Sequence, residues 1–200
     1  MRILLVGASG TIGSAVAAAL SGRHELILAS AQKSAERVDL ADPQSIRALF
    51  SRVGRVDAVV SAAGRAAFKS LTELADEDFE LSLSNKLMGQ VNLVRLGLAS
   101  VNDGGSITLT AGYLARHPIP GSGAVSLVNA GLEGFGRSAA LEAPRGIRVN
   151  VVSPPWVTET LVKLGRPPEG GLDAAVVAQA YVSSVEGTIT GQAIDPSAAS

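Results

Sequence analysis

The sequence predicts an α/β protein in which helices cover both faces of a doubly wound parallel sheet, a three-layer α/β/α arrangement, and three observations carry that expectation. Short β-branched or leucine-rich runs alternate with longer segments of helical period, the pattern of repeated strand–helix–strand units. A glycine-rich turn joins the first apolar run to the first helical segment. Parallel strands joined by helices cross over with one hand, which places helices on both faces. The 200-residue length is that of one domain, so a single domain over 1–200 is expected, with no internal repeat and no linker.

Taken in order, residues 3–6 read as the first strand and the alanine-rich residues 14–20 as the first helix. Residues 26–29 form the second strand, and Pro43 sits where a first helical turn tolerates proline, opening a helix over 44–52. After a strand at 58–61, the apolar residues Leu83, Leu87, Val91, Val94 and Leu98 recur every three or four positions and predict one long helix over 78–100. Strands at 106–110 and 148–152 flank a second long helix over 125–142. A helix over 174–185 and a strand at 192–194 close the pattern, and residues 165–171, with Pro167 and Pro168, read as a surface loop.

Composition narrows the function. Seventeen basic and 18 acidic side chains leave a net charge of -1, so there is no basic footprint for nucleic acid or an anionic membrane. The chain has no cysteine and only two histidines, His24 and His117. Disulfides and thiol chemistry are therefore excluded, no metal site is expected, and a reducing cytoplasm is the expected location. Met1-Arg2, the apolar run behind it and Ala17-Ala18-Ala19 have the outline of an export signal, but Gly7, Ser9, Gly10, Thr11, Gly13 and Ser14 interrupt it.

The turn reads Gly7-Ala8-Ser9-Gly10-Thr11-Ile12-Gly13. Glycines at 7, 10 and 13 permit a tight turn, close backbone approach to a pyrophosphate and close packing of helix on strand. Unpaired N–H groups at the helix start then face an anion, with Ser9, Thr11 and Ile12 beside them. This is the dinucleotide signature of a Rossmann fold; the competing reading is a glycine-rich turn that binds nothing. At the end of the second strand, Leu28-Ala29-Ser30-Ala31-Gln32-Lys33-Ser34 carries no acid to accept from a ribose 2′-hydroxyl. Ser30, Lys33 and Ser34 can instead donate to a 2′-phosphate, which predicts NADP(H) in preference to NAD(H), unless Lys33 is only a solvated loop charge.

With these residues in place, the chain resembles the short-chain dehydrogenase/reductase family over nearly its whole length. The glycine turn is similar to that family's TGxxxGxG motif, Asp39-Leu40 stands where the family holds the adenine, and Ser61-Ala62-Ala63-Gly64 resembles its NNAG strand end. Asn85 matches its structural and catalytic asparagine, and Ser153-Pro154-Pro155-Trp156-Val157 resembles the PG motif that lies against the nicotinamide. The ending Thr190-Gly191-Gln192-Ala193-Ile194-Asp195 is similar to its last strand. The resemblance implies a coenzyme held by these segments and by Thr158 or Thr160, which flank Glu159 at the family's phosphate-contacting threonine.

The resemblance also exposes a departure. Family chemistry rests on a Ser, a Tyr and a Lys, the last two spaced YxxxK on one helix face. Alignment on Leu132-Glu133-Gly134-Phe135 puts Val125 at the Tyr position and Asn129 at the Lys position, with Ala111 or Gly112 at the Ser position. Asn129 is then expected against the coenzyme without the lysine's charge.

Three readings follow. Hydride transfer with a proton from Tyr113, His117, Thr110 or Lys86 is one; each of Tyr113 and His117 is also read as an ordinary loop residue. An already activated substrate such as an iminium, needing no acid, is the second. A non-catalytic dinucleotide-binding sensor or scaffold is the third. The stretch between Trp156 and Ala174 is shorter than in relatives, which implies an open or shallow pocket for a small-molecule substrate.

The helices over 78–100 and 125–142 correspond to those that pair between subunits in the family, so a homodimer or homotetramer is expected. Gly131, Gly134 and Gly136 each cost about 1 kcal/mol in a helix relative to alanine. They mark close packing, either on a partner or on the chain's own sheet.

Overall fold

Successive side chains of a strand point to opposite faces, so the run Ile3, Leu4, Leu5 and Val6, buried throughout, requires cover on both sides. The computed structural model, which describes residues 1–199, supplies it. The strands are β1 (Arg2–Val6), β2 (Glu25–Ser30), β3 (Glu36–Arg37), β4 (Val56–Ser61), β5 (Val101–Thr110), β6 (Arg148–Val152) and β7 (Ala193–Ile194). They form one sheet in the order β3-β2-β1-β4-β5-β6-β7, parallel at every pairing. The chain winds outward from β1 in one direction and from β4 in the other, so the C-terminal ends of β1 and β4 mark the switch point where such sheets bind ligands.

The helices are α1 (Thr11–Leu20), α2 (Pro43–Val53), α3 (Asp76–Leu81), α4 (Gly89–Gly97), α5 (Gly123–Glu142), α6 (Thr158–Lys163) and α7 (Ala174–Glu186). Leu4 and Val6 turn to the face covered by α2, α4 and α5, meeting Leu49, Leu93 and Leu132. Ile3 and Leu5 turn to the face covered by α1 and α7, meeting Val16, Leu20 and Val177. Asp42 caps α2 by accepting from Gln44 N at 2.8 Å, with Pro43 in the first turn as its missing N–H allows. On α7 the fully buried Tyr181 meets Thr110 Oγ1 at 2.6 Å, and Ser184 Oγ meets Thr108 Oγ1 at 2.7 Å. These contacts tie the helix to β5 by hydrogen bonds as well as by packing. Among the described residues, no helix is long and apolar enough to cross a membrane, and no cluster of His, Asp and Glu can hold a metal ion.

Three features depart from the sequence expectations. The two-residue β3 is too short for a period-two pattern, and the six-residue α6 carries too few apolar residues to announce itself. The helix expected over 78–100 is four pieces: α3, a π-helical segment Ser82–Met88, α4 and a 3-10 turn Leu98–Ser100. A single widened segment leaves the apolar spacing on either side intact, so periodicity alone does not reveal it. In α5, a Cβ on Gly131 would lie 3.1 Å from Leu87 Cδ1, and one on Gly136 would overlap Val151 Cγ2. Two of the three helix glycines therefore fit α5 against its own chain, and only Gly134 faces open space.

Candidate functional site

The site begins where β1 ends. Gly7 adopts φ +86°, and a Cβ there would stand 2.5 Å from Ala62 O, so only glycine serves. Gly7 N and Ala8 N both donate to Ala29 O, at 2.8 and 3.2 Å, and Gly10 N donates to Gly7 O at 3.0 Å, which hangs the turn on the end of β2. A Cβ on Gly13 would overlap Gly7 O. Gly10 precedes α1 without any side-chain cap, so the first-turn N–H groups around Thr11, Ile12 and Gly13 are left for an anion.

Two concavities open beside this turn. The larger, about 770 Å³, lies at the ends of β4, β5 and β6. Ile12, Ala62, Ala63 and Gly64 border it on one side, Asn129, Pro154 and Val157 on another. Its outer wall is apolar and aromatic, built from Phe68, Ile119, Trp156 and Leu164. The Arg166 guanidinium stacks 5.4 Å from the Phe68 centroid and 5.3 Å from the Trp156 centroid, whose rings meet edge to face at 5.9 Å. The smaller concavity, about 550 Å³, brings together Ser9, Lys33 and Ser34 with Glu36. Glu36 is paired with Arg52 Nε at 3.0 Å. Ser30 is buried and its Oγ accepts from Lys33 N at 3.0 Å, so it shapes the loop that presents Lys33.

Of the other anticipated residues, Asp39, Leu40, Asn85 and Thr158 line neither concavity. Asp39 Oδ1 accepts from Ala41 N at 2.9 Å, and Leu40 is buried beneath Gly89, where a Cβ would be 2.7 Å from Leu40 Cβ. Asn85 Oδ1 accepts from Arg65 N at 2.8 Å, fixing the backbone just after Gly64. Thr158 opens α6 with its N–H donating to Leu172 O at 3.1 Å. Thr160, two residues further, borders the larger cavity. Glu159 is turned away, accepting from Ala174 N at 3.0 and 3.2 Å at the start of α7. Lys163 Nζ donates to Thr11 Oγ1 at 2.7 Å and bridges α6 to the glycine turn.

Val125 and Asn129 contribute to the cavity wall from α5 and Gly112 from just beyond β5. Asn129 is 2% exposed and its Oδ1 has no hydrogen-bond partner among the described residues, an orphaned acceptor that calls for a donor from a ligand or water. Tyr113 and His117 stack on each other, centroids 4.0 Å apart, and both border the cavity. Thr110 Oγ1 is already engaged, donating to Ser61 O at 2.5 Å and meeting Tyr181 OH. Lys86 reaches in from the π-helical segment and its Nζ donates to Ala111 O at 3.3 Å. Burial holds the Lys86 ammonium well below the usual lysine range, at about 8.

Two contributors escaped the sequence reading. The Phe68–Trp156–Arg166 stack joins residues far apart in the chain; its one local signal was a lone Trp after Pro154-Pro155. Glu133, 5% exposed, accepts from Ser153 Oγ at 2.7 Å and Arg116 Nε at 3.0 Å, pinning the segment that carries Tyr113 and His117 to the end of β6. An acid inside the apolar stripe of α5 was the available clue.

Comparison with known proteins agrees with this geometry. Residues 7–191 match the family model described as Enoyl-(Acyl carrier protein) reductase. The chain is similar to the 3-oxoacyl-(acyl-carrier-protein) reductase of Mus musculus, 28% identical over 168 residues, covering 81% of this chain and 67% of that one. It is also similar to the 3-oxoacyl-(acyl-carrier-protein) reductase FabG of Rickettsia conorii, 29% identical over 172 residues, covering 77% and 71%. Among solved structures, the protein lin1944 from Listeria innocua is 45% identical with a TM-score of 0.94 over 98% of each chain. A small-chain dehydrogenase in complex with NADPH is 25% identical with a TM-score of 0.85 over 98% of this chain and 95% of that one.

Proposed function

The chain belongs to the short-chain dehydrogenase/reductase family of oxidoreductases, and from that premise we propose that it uses NADP(H) to reduce a small carbonyl or imine-like substrate, with a proton source other than the family's tyrosine. The observation that carries the reading is the uncapped start of α1, held by Gly7 and Gly13 against the same sheet edge as a largely apolar cavity.

The residues fit a dinucleotide. Gly7, Ser9, Gly10, Thr11, Ile12 and Gly13 would hold the pyrophosphate, and Asp39 and Leu40 would flank the adenine. Ala62, Ala63, Gly64, Asn129, Pro154, Val157 and Thr158 or Thr160 would hold the nicotinamide half. When bound, the reduced coenzyme supplies hydride. The chain's own task is to exclude water with the Phe68 and Trp156 wall, orient the acceptor and deliver a proton. Val125 and Gly112 carry no proton to give, and the Asn85 carboxamide oxygen is committed to Arg65 N. The test is NADPH oxidation across a panel of carbonyls and imines with coenzyme-saturated protein. Binding without any turnover would instead favour a coenzyme-dependent sensor or scaffold.

Coenzyme choice is tested at Lys33. In the Ser9–Lys33–Ser34 concavity, Lys33→Glu puts a carboxylate beside Glu36 and repels a 2′-phosphate. Calorimetry is expected to show NADPH affinity falling by about tenfold or more, roughly 1.4 kcal/mol, with NADH little changed. Tighter binding of NADH than NADPH by the unsubstituted protein would overturn the preference.

A homodimer or homotetramer belongs to the same proposal. Leu127 and Leu141 of α5 and Met88 beside it are exposed at 50%, 88% and 43%, and Gly134 leaves room for close approach of a second helix. Light scattering at micromolar concentration is expected to report a multiple of 20.3 kDa; a monomer would refute it.

A further inference from the structure

Among the described residues, the Lys86 ammonium has Ala111 O as its one hydrogen-bond partner. We propose that Lys86 Nζ delivers the proton to the reacting oxygen, replacing from the π-helical segment the acid that α5 lacks; the assignment rests on the oxidoreductase reading above.

The path of the side chain is built for it. The π-helical segment sends adjacent residues to different tasks: Asn85 outward to Arg65 N, and Lys86 across Gly64 to Ala111 O. Gly64 has φ +135°, and a Cβ there would stand 2.9 Å from Lys86 Cγ, so a side chain at 64 would crowd the lysine stem. The ammonium therefore arrives at residue 111, next to Gly112. On the other side, a Cβ on Gly112 would be 2.8 Å from Asn129 Nδ2. Lys86 and Asn129 thus bracket the strand end where the family places its serine.

The ammonium has three N–H groups, and Ala111 O accepts from one of them. Among the described residues no carboxylate borders the cavity; the other ionisable groups on its wall are Tyr113, His117 and Arg166. Tyr113 and His117 face each other, and Arg166 lies on the aromatic pair. On α5, packed against the segment, Glu133 is held by Ser153 and Arg116, with Arg137 3.9 Å away. On α3, Asp78 is held by Lys69. Burial is the one cause of the Lys86 shift, with no charged neighbour contributing. The residue is only partly buried and lines the cavity. A lysine at about 8 is cationic at neutral pH yet a far stronger acid than a solvated one.

The step balances. The hydride would come from NADPH, whose own C–H bond would break as it is oxidised to NADP+; as the carbonyl carbon gains that C–H bond, the C=O π pair moves onto oxygen, which takes a proton as an N–H bond of Lys86 breaks and an O–H bond forms. The neutral amine regains its proton from water. Reduction therefore uses the ammonium, so kcat/KM is flat below the pKa and falls as pH rises through about 8; alcohol oxidation uses the amine and rises there.

The test uses the full chain with NADPH and a carbonyl that it turns over. Lys86→Met is expected to lower kcat/KM by about 100-fold or more and to abolish the limb near pH 8, while NADPH affinity stays within about threefold. Lys86→Arg, cationic throughout the range, is expected to keep coenzyme binding and also lose that limb. Independently of turnover, NMR of isotope-labelled lysine should show one ε-resonance titrating near 8 and shifting on addition of NADP+. A Lys86 resonance titrating at the ordinary lysine value, or indifferent to NADP+, overturns the assignment. So does Lys86→Met activity with an unchanged profile, which leaves the oxidoreductase reading standing. An unsubstituted protein that binds NADPH but reduces nothing overturns both.

Discussion

Gly13→Val is expected to remove coenzyme binding while leaving a folded protein. The new Cβ would overlap Gly7 O and stand 3.0 Å from Ala8 Cα, so the obstruction is backbone on backbone and no rotamer relieves it. Overpacking costs about 1–3 kcal/mol even where side chains can give way. Here the turn itself must move off Ala29 O, and the N–H cradle moves with it. Calorimetry should show NADPH affinity weakened by about 100-fold or more, near 2.7 kcal/mol, with far-UV circular dichroism unchanged. Affinity within about threefold of the unsubstituted protein would show that these amides do not hold the phosphates.

The largest stability effect is expected at Tyr181. Its ring is fully buried among Val177, Ala178 and the sheet, and its hydroxyl meets Thr110 Oγ1 at 2.6 Å. Burial pushes the phenol above its ordinary range, so at neutral pH it acts as a neutral hydrogen-bonding group. Tyr181→Ala removes the ring and leaves a cavity, a loss of about 3–5 kcal/mol. Tyr181→Phe keeps the packing, and Thr110 keeps Ser61 O as its acceptor, so the loss should be near 1 kcal/mol. Denaturant melts of the two variants check the ordering. Equal losses would mean that the hydroxyl network, rather than ring packing, docks α7.

Tyr181 and Lys86 show how the two layers of the molecule divide their work. The Tyr181–Thr110–Ser61 contacts fix the ends of β4 and β5 from beneath, and Asn85 and Glu133 fix the segments above them. Between these braces lies a cavity whose wall is mostly apolar, so each polar atom that remains there has few competitors for a ligand.

Alternation of apolar runs, turn glycines and helical spacing determined the parallel sheet, the first helix and the glycine turn, because each depends on residues only a few positions apart. The reading of Val125 and Asn129 at the family's Tyr and Lys positions rests on the same locality, the alignment of one helix. What only the tertiary structure decided is where polar side chains end. Asn85 and Lys86 are neighbours in sequence, yet a π-helical segment sends one to Arg65 N and the other to Ala111 O. Likewise Glu159 goes to α7 while Thr160 borders the cavity, and Arg166 stacks on the adjoining rings of Phe68 and Trp156. Their partners lie from 10 to 98 positions away, so the choice follows from burial and unmet hydrogen bonds across the sheet edge, which no local pattern encodes.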